Sequence, residues 1–191
     1  MALRRIRQYG DDILKKKSKP VVKFDETLHN LLDDMWETMH EFDGLGMAAP
    51  QVGVLRRAII LETEEEQYEL INPVIVETDG QDVKTEACLS VPNKQGDVER
   101  PMFVKVEAYD RHENPVTIAT DDDMLVTALC HEIDHLDGIL FIEKATNIQP
   151  RPTDEEVAES NKRIKGNPRR ALKILNNKDN KKDNKKVAAR A

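Results

Sequence analysis

His131-Glu132-Ile133-Asp134-His135 has the residue types and the spacing of a metal site. On a helix, side chains four apart stand one turn above each other, so His131 and His135 can hold one ion between them. Glu132 follows the first imidazole on the neighbouring face, where its carboxylate can reach a water on that ion. The flanks favour a helix. Asp121, Asp122 and Asp123 put negative charge at its start, and Gly138 stops it. A catalytic metal of this kind usually has three protein ligands and an open position. One ligand is left to find.

Three places compete for that role. A third histidine beyond Gly138 would give the metzincin pattern, but position 141 is Phe. Glu155 and Glu156 lie at a separation that a thermolysin-like zinc peptidase would use. Cys88 ends a predicted strand just before a proline-bounded loop, where a thiolate can meet a neighbouring helix. Cys130 adjoins His131 and so points about 100° away from it on a helix. It reads as a small buried hydrophobe.

The elements that position these residues are legible in outline. Asp25 reads as an N-cap, and Leu28, Leu31, Leu32, Met35 and Met39 recur at helical spacing, predicting a core helix over 26–41 that stops at Asp43-Gly44. A short helix capped by Asp11 or Asp12 is expected before Pro20, and a short strand over 4–8. Strands are expected over 57–61, 68–76, 84–88, 104–109 and 116–120, with turns at Asn72-Pro73 and Asp79-Gly80 and a hairpin connection over 110–115. These strands adjoin without intervening helices, so the fold class is α+β, with mostly antiparallel sheets around the helix that carries the histidines. Thr153 and Glu156 form a capping box for a helix over 154–165, and the Asn/Lys/Asp run from Asn176 has nothing to bury and is expected to be disordered.

Charge divides the chain of 191 residues at about position 150. Residues 1–150 hold 16 Lys+Arg against 30 Asp+Glu, whereas 151–191 hold 13 against 6. The expected organisation is an acidic catalytic domain over 1–150 and a basic extension over 151–191. No apolar run approaches the roughly 20 residues that span a bilayer, and no apolar segment follows the early arginines, so neither membrane span nor signal peptide is expected. Two cysteines in such a chain are expected to be reduced thiols, and the expected location is the cytoplasm.

Three segments together resemble one family. Gly44-Leu45-Gly46-Met47-Ala48-Ala49-Pro50-Gln51, Glu86-Ala87-Cys88-Leu89-Ser90 and His131-Glu132-Ile133-Asp134-His135-Leu136-Asp137-Gly138 are similar to the signature motifs of the peptide deformylases, in their order and spacing. The likeness runs from about Ile6 to Ile142, with one departure: the second motif usually has Gly where this chain has Ala87. The resemblance implies a hydrolase that removes the formyl group from the N-terminal formyl-methionine of nascent polypeptides. It places Cys88, His131 and His135 on one divalent metal, Fe²⁺ foremost, with Zn²⁺ or Ni²⁺ workable. Glu132 becomes the proton carrier, and the Gln51 amide with the Leu89 N–H become the oxyanion donors.

On the same reading, Leu45 and Gly46 lie beside the peptide. Met124, Thr127 and Ala128, which share the His131 face of the helix, line a methionine pocket. Glu86 and Asp134 are expected behind the imidazoles, and Arg100 is expected to pair with Asp43. A monomer is expected, and the basic extension is a candidate for contact with ribosomal RNA. A binding protein without catalysis is a rival reading, opposed by the intact Glu132 and Gln51.

Overall fold

Asp25 starts the first long helix as expected. Its carboxylate accepts from the N–H groups of Thr27 and Leu28, capping α1 (Glu26–Glu41). The computed structural model describes residues 2–152, so the helix expected over 154–165, Glu155, Glu156 and the run from Asn176 lie outside the described residues. After α1 come β1 (Gly46–Ala48), a turn of 3-10 helix (Ala49–Val52), β2 (Ala58–Glu62), β3 (Gln67–Asp79), β4 (Asp82–Cys88), β5 (Val91–Arg100), β6 (Phe103–Tyr109) and β7 (Pro115–Thr120). The chain continues through α2 (Asp123–Leu136), the single turn α3 (Phe141–Lys144) and β8 (Thr146–Pro150). No described helix is long and apolar enough to cross a membrane.

The strands form two antiparallel sheets, ordered β1-β2-β3-β6-β7 and β4-β5-β8. The five-stranded sheet is covered on both faces. Along β2, Ala58 and Ile60 join Leu32, Met35 and Met39 of α1, while Ile59 and Leu61 join Val126, Leu129 and Leu136 of α2. That is why residues 58–61 form an unbroken apolar run rather than an alternating one. Each of these Ile, Leu, Met and Val side chains contributes about 1.5–3 kcal/mol on full burial, and the sheet thereby fixes α2 in depth and rotation.

Three expectations need correction. Residues 4–8 form no strand. Asn72-Pro73 is not a turn between elements but a bulge within β3, where Asn72 takes a φ of 54° and exchanges two side-chain hydrogen bonds with the Val21 backbone. The largest miss is β5. Its first half, Val91-Pro92-Asn93-Lys94-Gln95-Gly96, reads as a loop, yet it pairs with β4 on one side and β8 on the other. Pairing on both edges overrides weak local propensity. The proline-bounded loop after Cys88 is therefore a two-residue turn, Leu89-Ser90, closing the β4–β5 hairpin.

Candidate functional site

α2 begins at its N-cap Asp122, which accepts from the Leu125 N–H, and ends before Gly138 at a φ of 76°. A Cβ on Gly138 would lie 2.6 Å from the Lys15 carbonyl oxygen, so the stop needs glycine twice over. Between these ends, His131, Glu132 and His135 all face inward and are buried. The hairpin brings Cys88 to them: the ligand-type atoms of Cys88, His131 and His135 lie within 4.8 Å of one another. Cys130 is outside that cluster, buried, and its thiol is pushed up to about 11 by burial. Phe141, which replaces the third histidine of the metzincin pattern, stacks on the His131 ring at 6.0 Å.

The partner of His131 matches what a bound metal needs. His131 Nδ1 bonds Glu86 at 2.7 Å, which leaves Nε2 as the free ligand atom. His135 Nε2 lies 3.2 Å from Cys88 Sγ. Glu132 Oε2 and His135 Nδ1 are buried with no hydrogen-bond partner among the described residues. Two imidazoles and a thiol are a donor set that suits a divalent cation of borderline softness. The residues therefore fit such an ion.

Burial shapes the electrostatics. It raises the Glu132 carboxyl to about 7. It lowers His135 well below the ordinary imidazole range, with the charges of His131 and Arg100 adding to the effect. At His131 burial also acts downward, but hydrogen bonds to Cys88 and Glu86 outweigh it and hold the ring well above its usual value. Burial would raise Glu86, and the bonds from His131 and Arg100 more than reverse this.

Arg100 does not pair with Asp43. Its guanidinium grips Glu86 at 2.6 and 3.0 Å and Asp134 at 2.6 Å. Asp134 accordingly holds Arg100 and Lys144 rather than an imidazole. The signal for this was present in β5: Gly96, Val98 and Arg100 share one buried face, and a buried arginine needs carboxylates. With no strand expected over 91–100, Arg100 was matched to the wrong carboxylate.

A cavity of about 530 Å³ opens beside the cluster. Leu45, Gly46, Gln51, Met124, Thr127 and Ala128 line it together with Cys88, Leu89, His131 and Glu132. Of the expected site residues, all but His135 line this cavity, and His135 joins Cys88 and His131 in the cluster beside it. Gly46 is there by necessity: a Cβ would sit 2.7 Å from Leu61 Cδ2 and 2.9 Å from Glu132 Oε1. Gln51 is buried, its Oε1 accepts from the Ala48 N–H at 2.7 Å, and its Nε2 is turned to Ser90 Oγ at 3.3 Å and Cys88 Sγ at 3.5 Å. The cavity is bordered by β1 and β4, each an edge strand of its own sheet.

Residues 3–151 match the polypeptide deformylase family. The chain is 56% identical over 144 residues to the peptide deformylase of Caldicellulosiruptor bescii, covering 75% of this chain and 86% of that protein. Among solved structures, it is similar to the peptide deformylase of Thermotoga maritima, with a TM-score of 0.74, 37% identity, and 76% and 99% of the two chains covered. It is also similar to the Met-Ala-Ser-bound class I type b enzyme of Acinetobacter baumannii, with a TM-score of 0.71, 33% identity, and 75% and 98% covered. The thermolysin-like reading finds no support in either comparison, and this chain belongs to the polypeptide deformylase family.

Proposed function

We propose that this protein removes the formyl group from the N-terminal formyl-methionine of newly made polypeptides, releasing formate. The observation that carries the reading is the meeting of Cys88, His131 and His135 beside a buried Glu132, whose Oε2 has no hydrogen-bond partner among the described residues, at a cleft between two strand edges. Cys88, His131 and His135 would hold one divalent cation, with Fe²⁺ favoured and Zn²⁺ or Ni²⁺ able to serve. When bound, such an ion makes water a nucleophile near neutral pH and polarises the formyl oxygen.

The chain's own residues do the rest. Glu132 accepts a proton from the attacking water and delivers it to the amine nitrogen as the C–N bond breaks, so formate and a free amino terminus leave. The Gln51 amide and the Leu89 N–H donate to the oxygen that gains charge on the formyl carbon. The backbone of Leu45-Gly46 pairs with the substrate as an added strand, because among the described residues β1 pairs with β2 alone and is an edge strand. Met124, Thr127 and Ala128 bound the pocket for the methionine side chain.

The deciding experiment is formate release from a formyl-Met peptide by anaerobically prepared protein, with metal analysis alongside. Protein that binds metal and releases no formate would overturn the reading.

We further propose a cytoplasmic monomer whose basic segment, 151–191, adds salt-sensitive contact with ribosomal RNA. The truncation that tests this belongs after Arg151, because Gln149 and Pro150 pair with β5. Unchanged ribosome co-sedimentation at low salt would remove that contact.

A further inference from the structure

Residues 2–11 form neither helix nor strand, yet three in a row tie to the loops that carry Gln51 and Leu89. The Arg7 N–H donates to the Gln51 carbonyl at 2.7 Å, and the Tyr9 N–H donates to the Ser90 carbonyl at 2.7 Å. Between them, Gln8 Nε2 donates to the Leu89 carbonyl at 3.3 Å. None of these three residues lines the cavity, so they approach the donors from outside it. The arm is itself anchored. Ile6 is buried in the cluster that includes Met47, Ala49 and Val52, the residues flanking Gln51. The Tyr9 ring lies under the Lys94 ammonium of β5 at 5.9 Å.

We infer that the N-terminal arm is a positioning device that sets the distance between the Gln51 amide and the Leu89 N–H. The inference rests on the deformylase reading of the cleft. Gln51 sits in a four-residue 3-10 turn and Leu89 in a two-residue hairpin turn, one from each sheet. Oxyanion stabilisation requires each donor to be held to a few tenths of an ångström. One arm bonded to both adds an outer link between turns that Gln51 Nε2 and Ser90 Oγ already join on the inner side at 3.3 Å. The weakest tie, from Gln8, acts directly on the residue whose N–H does the work, and Gln8 is exposed, so it can be changed without disturbing the core.

Gln8→Met keeps the length of the side chain and deletes its donor; Gln8→Lys keeps a donor. The first variant is expected to lower kcat by about threefold to tenfold with KM and bound metal unchanged, because loosened donors weaken only the transition state. Amide hydrogen exchange at Leu89 and Ser90 is expected to accelerate in Gln8→Met, and Gln8→Lys is expected to restore both readouts. Unaltered kcat and exchange would overturn the inference, as would a loss that falls on KM or one that Gln8→Lys fails to restore. If the wild-type protein releases no formate, the deformylase reading fails instead, and the exchange data still report whether the arm holds the turn.

Discussion

Behind His131 stand Glu86, Arg100 and Asp134, all charged, buried or nearly so, and joined at 2.6–3.0 Å. Behind Gln51 and Leu89 stand mostly neutral hydrogen bonds, with Ala48, Ser90 and the N-terminal arm, at 2.7–3.3 Å, beside one longer approach to Cys88 Sγ at 3.5 Å. The two halves of one cleft are thus held by different forces. A buried ionic bracket fails abruptly, because losing one member leaves the others charged and unpaired. Neutral hydrogen bonds, each worth about 1 kcal/mol net, can be lost one at a time. On the proposed function, a cation held among Cys88, His131 and His135 would call for the first kind of support, and a pair of oxyanion donors would tolerate the second.

Separating the roles within the charged half gives the largest effects. Cys88→Ala is expected to abolish both metal retention and formate release. Glu132→Gln is expected to retain metal while kcat falls by about 10²–10⁴. Metal analysis of the two purified variants, beside their turnover, distinguishes ligand from proton carrier. Turnover that survives in Cys88→Ala would return the third ligand to Glu155 or Glu156.

Arg100→Met breaks the bracket itself. It strands Glu86 and Asp134, with an expected loss of about 3–5 kcal/mol of stability and weaker metal retention through the unsupported His131. Chemical denaturation and competition with a chelator measure the two. A variant as stable as the parent, holding metal as tightly, would show that the carboxylates find other partners.

Gln51→Ala probes the neutral half. Loss of one oxyanion donor typically costs about 2.7–4 kcal/mol of transition-state stabilisation. The variant should keep its metal and its fold while kcat drops and KM holds. A parallel loss of metal would mean that the 3.5 Å approach of Gln51 Nε2 to Cys88 Sγ supports the thiolate, and the two halves would no longer be separable.

What the sequence revealed follows the same division. Residues whose chemistry is tied to a fixed local spacing were readable: His131 and His135 on one helix face, Asp25 as a cap, the α1 stripe. Contacts between elements far apart in sequence were readable only in part: Glu86 was expected behind an imidazole and bonds His131, but the partners of Arg100 were not foreseen. Arg100 meets Glu86 across 14 positions and Asp134 across 34, and its role depends on β5, a strand built from Pro92, Asn93 and Gly96 that only its neighbours make into a strand. The ties from Arg7, Gln8 and Tyr9 leave no pattern at all, because two of the three are made by backbone atoms that every residue shares.

The smallest effect is expected at Ala87, where the family motif usually has glycine. Two reasons for requiring glycine can be told apart. The first is backbone conformation, and it does not apply: Ala87 lies in β4 opposite Gln95 and is not among the described residues with positive φ. The second is close approach of the substrate, since Ala87 is exposed and lines the cavity. Ala87→Gly removes a methyl group from that wall and frees the strand backbone, so stability should fall by about 0.5–1 kcal/mol. If the substrate strand passes without touching the methyl group, kcat/KM should stay within about twofold of the parent, as for a surface change away from any special feature. A rise of about tenfold or more in kcat/KM, equivalent to at least 1.4 kcal/mol, would instead locate the peptide backbone against β4 and make Ala87 a brake on this enzyme's own cleft.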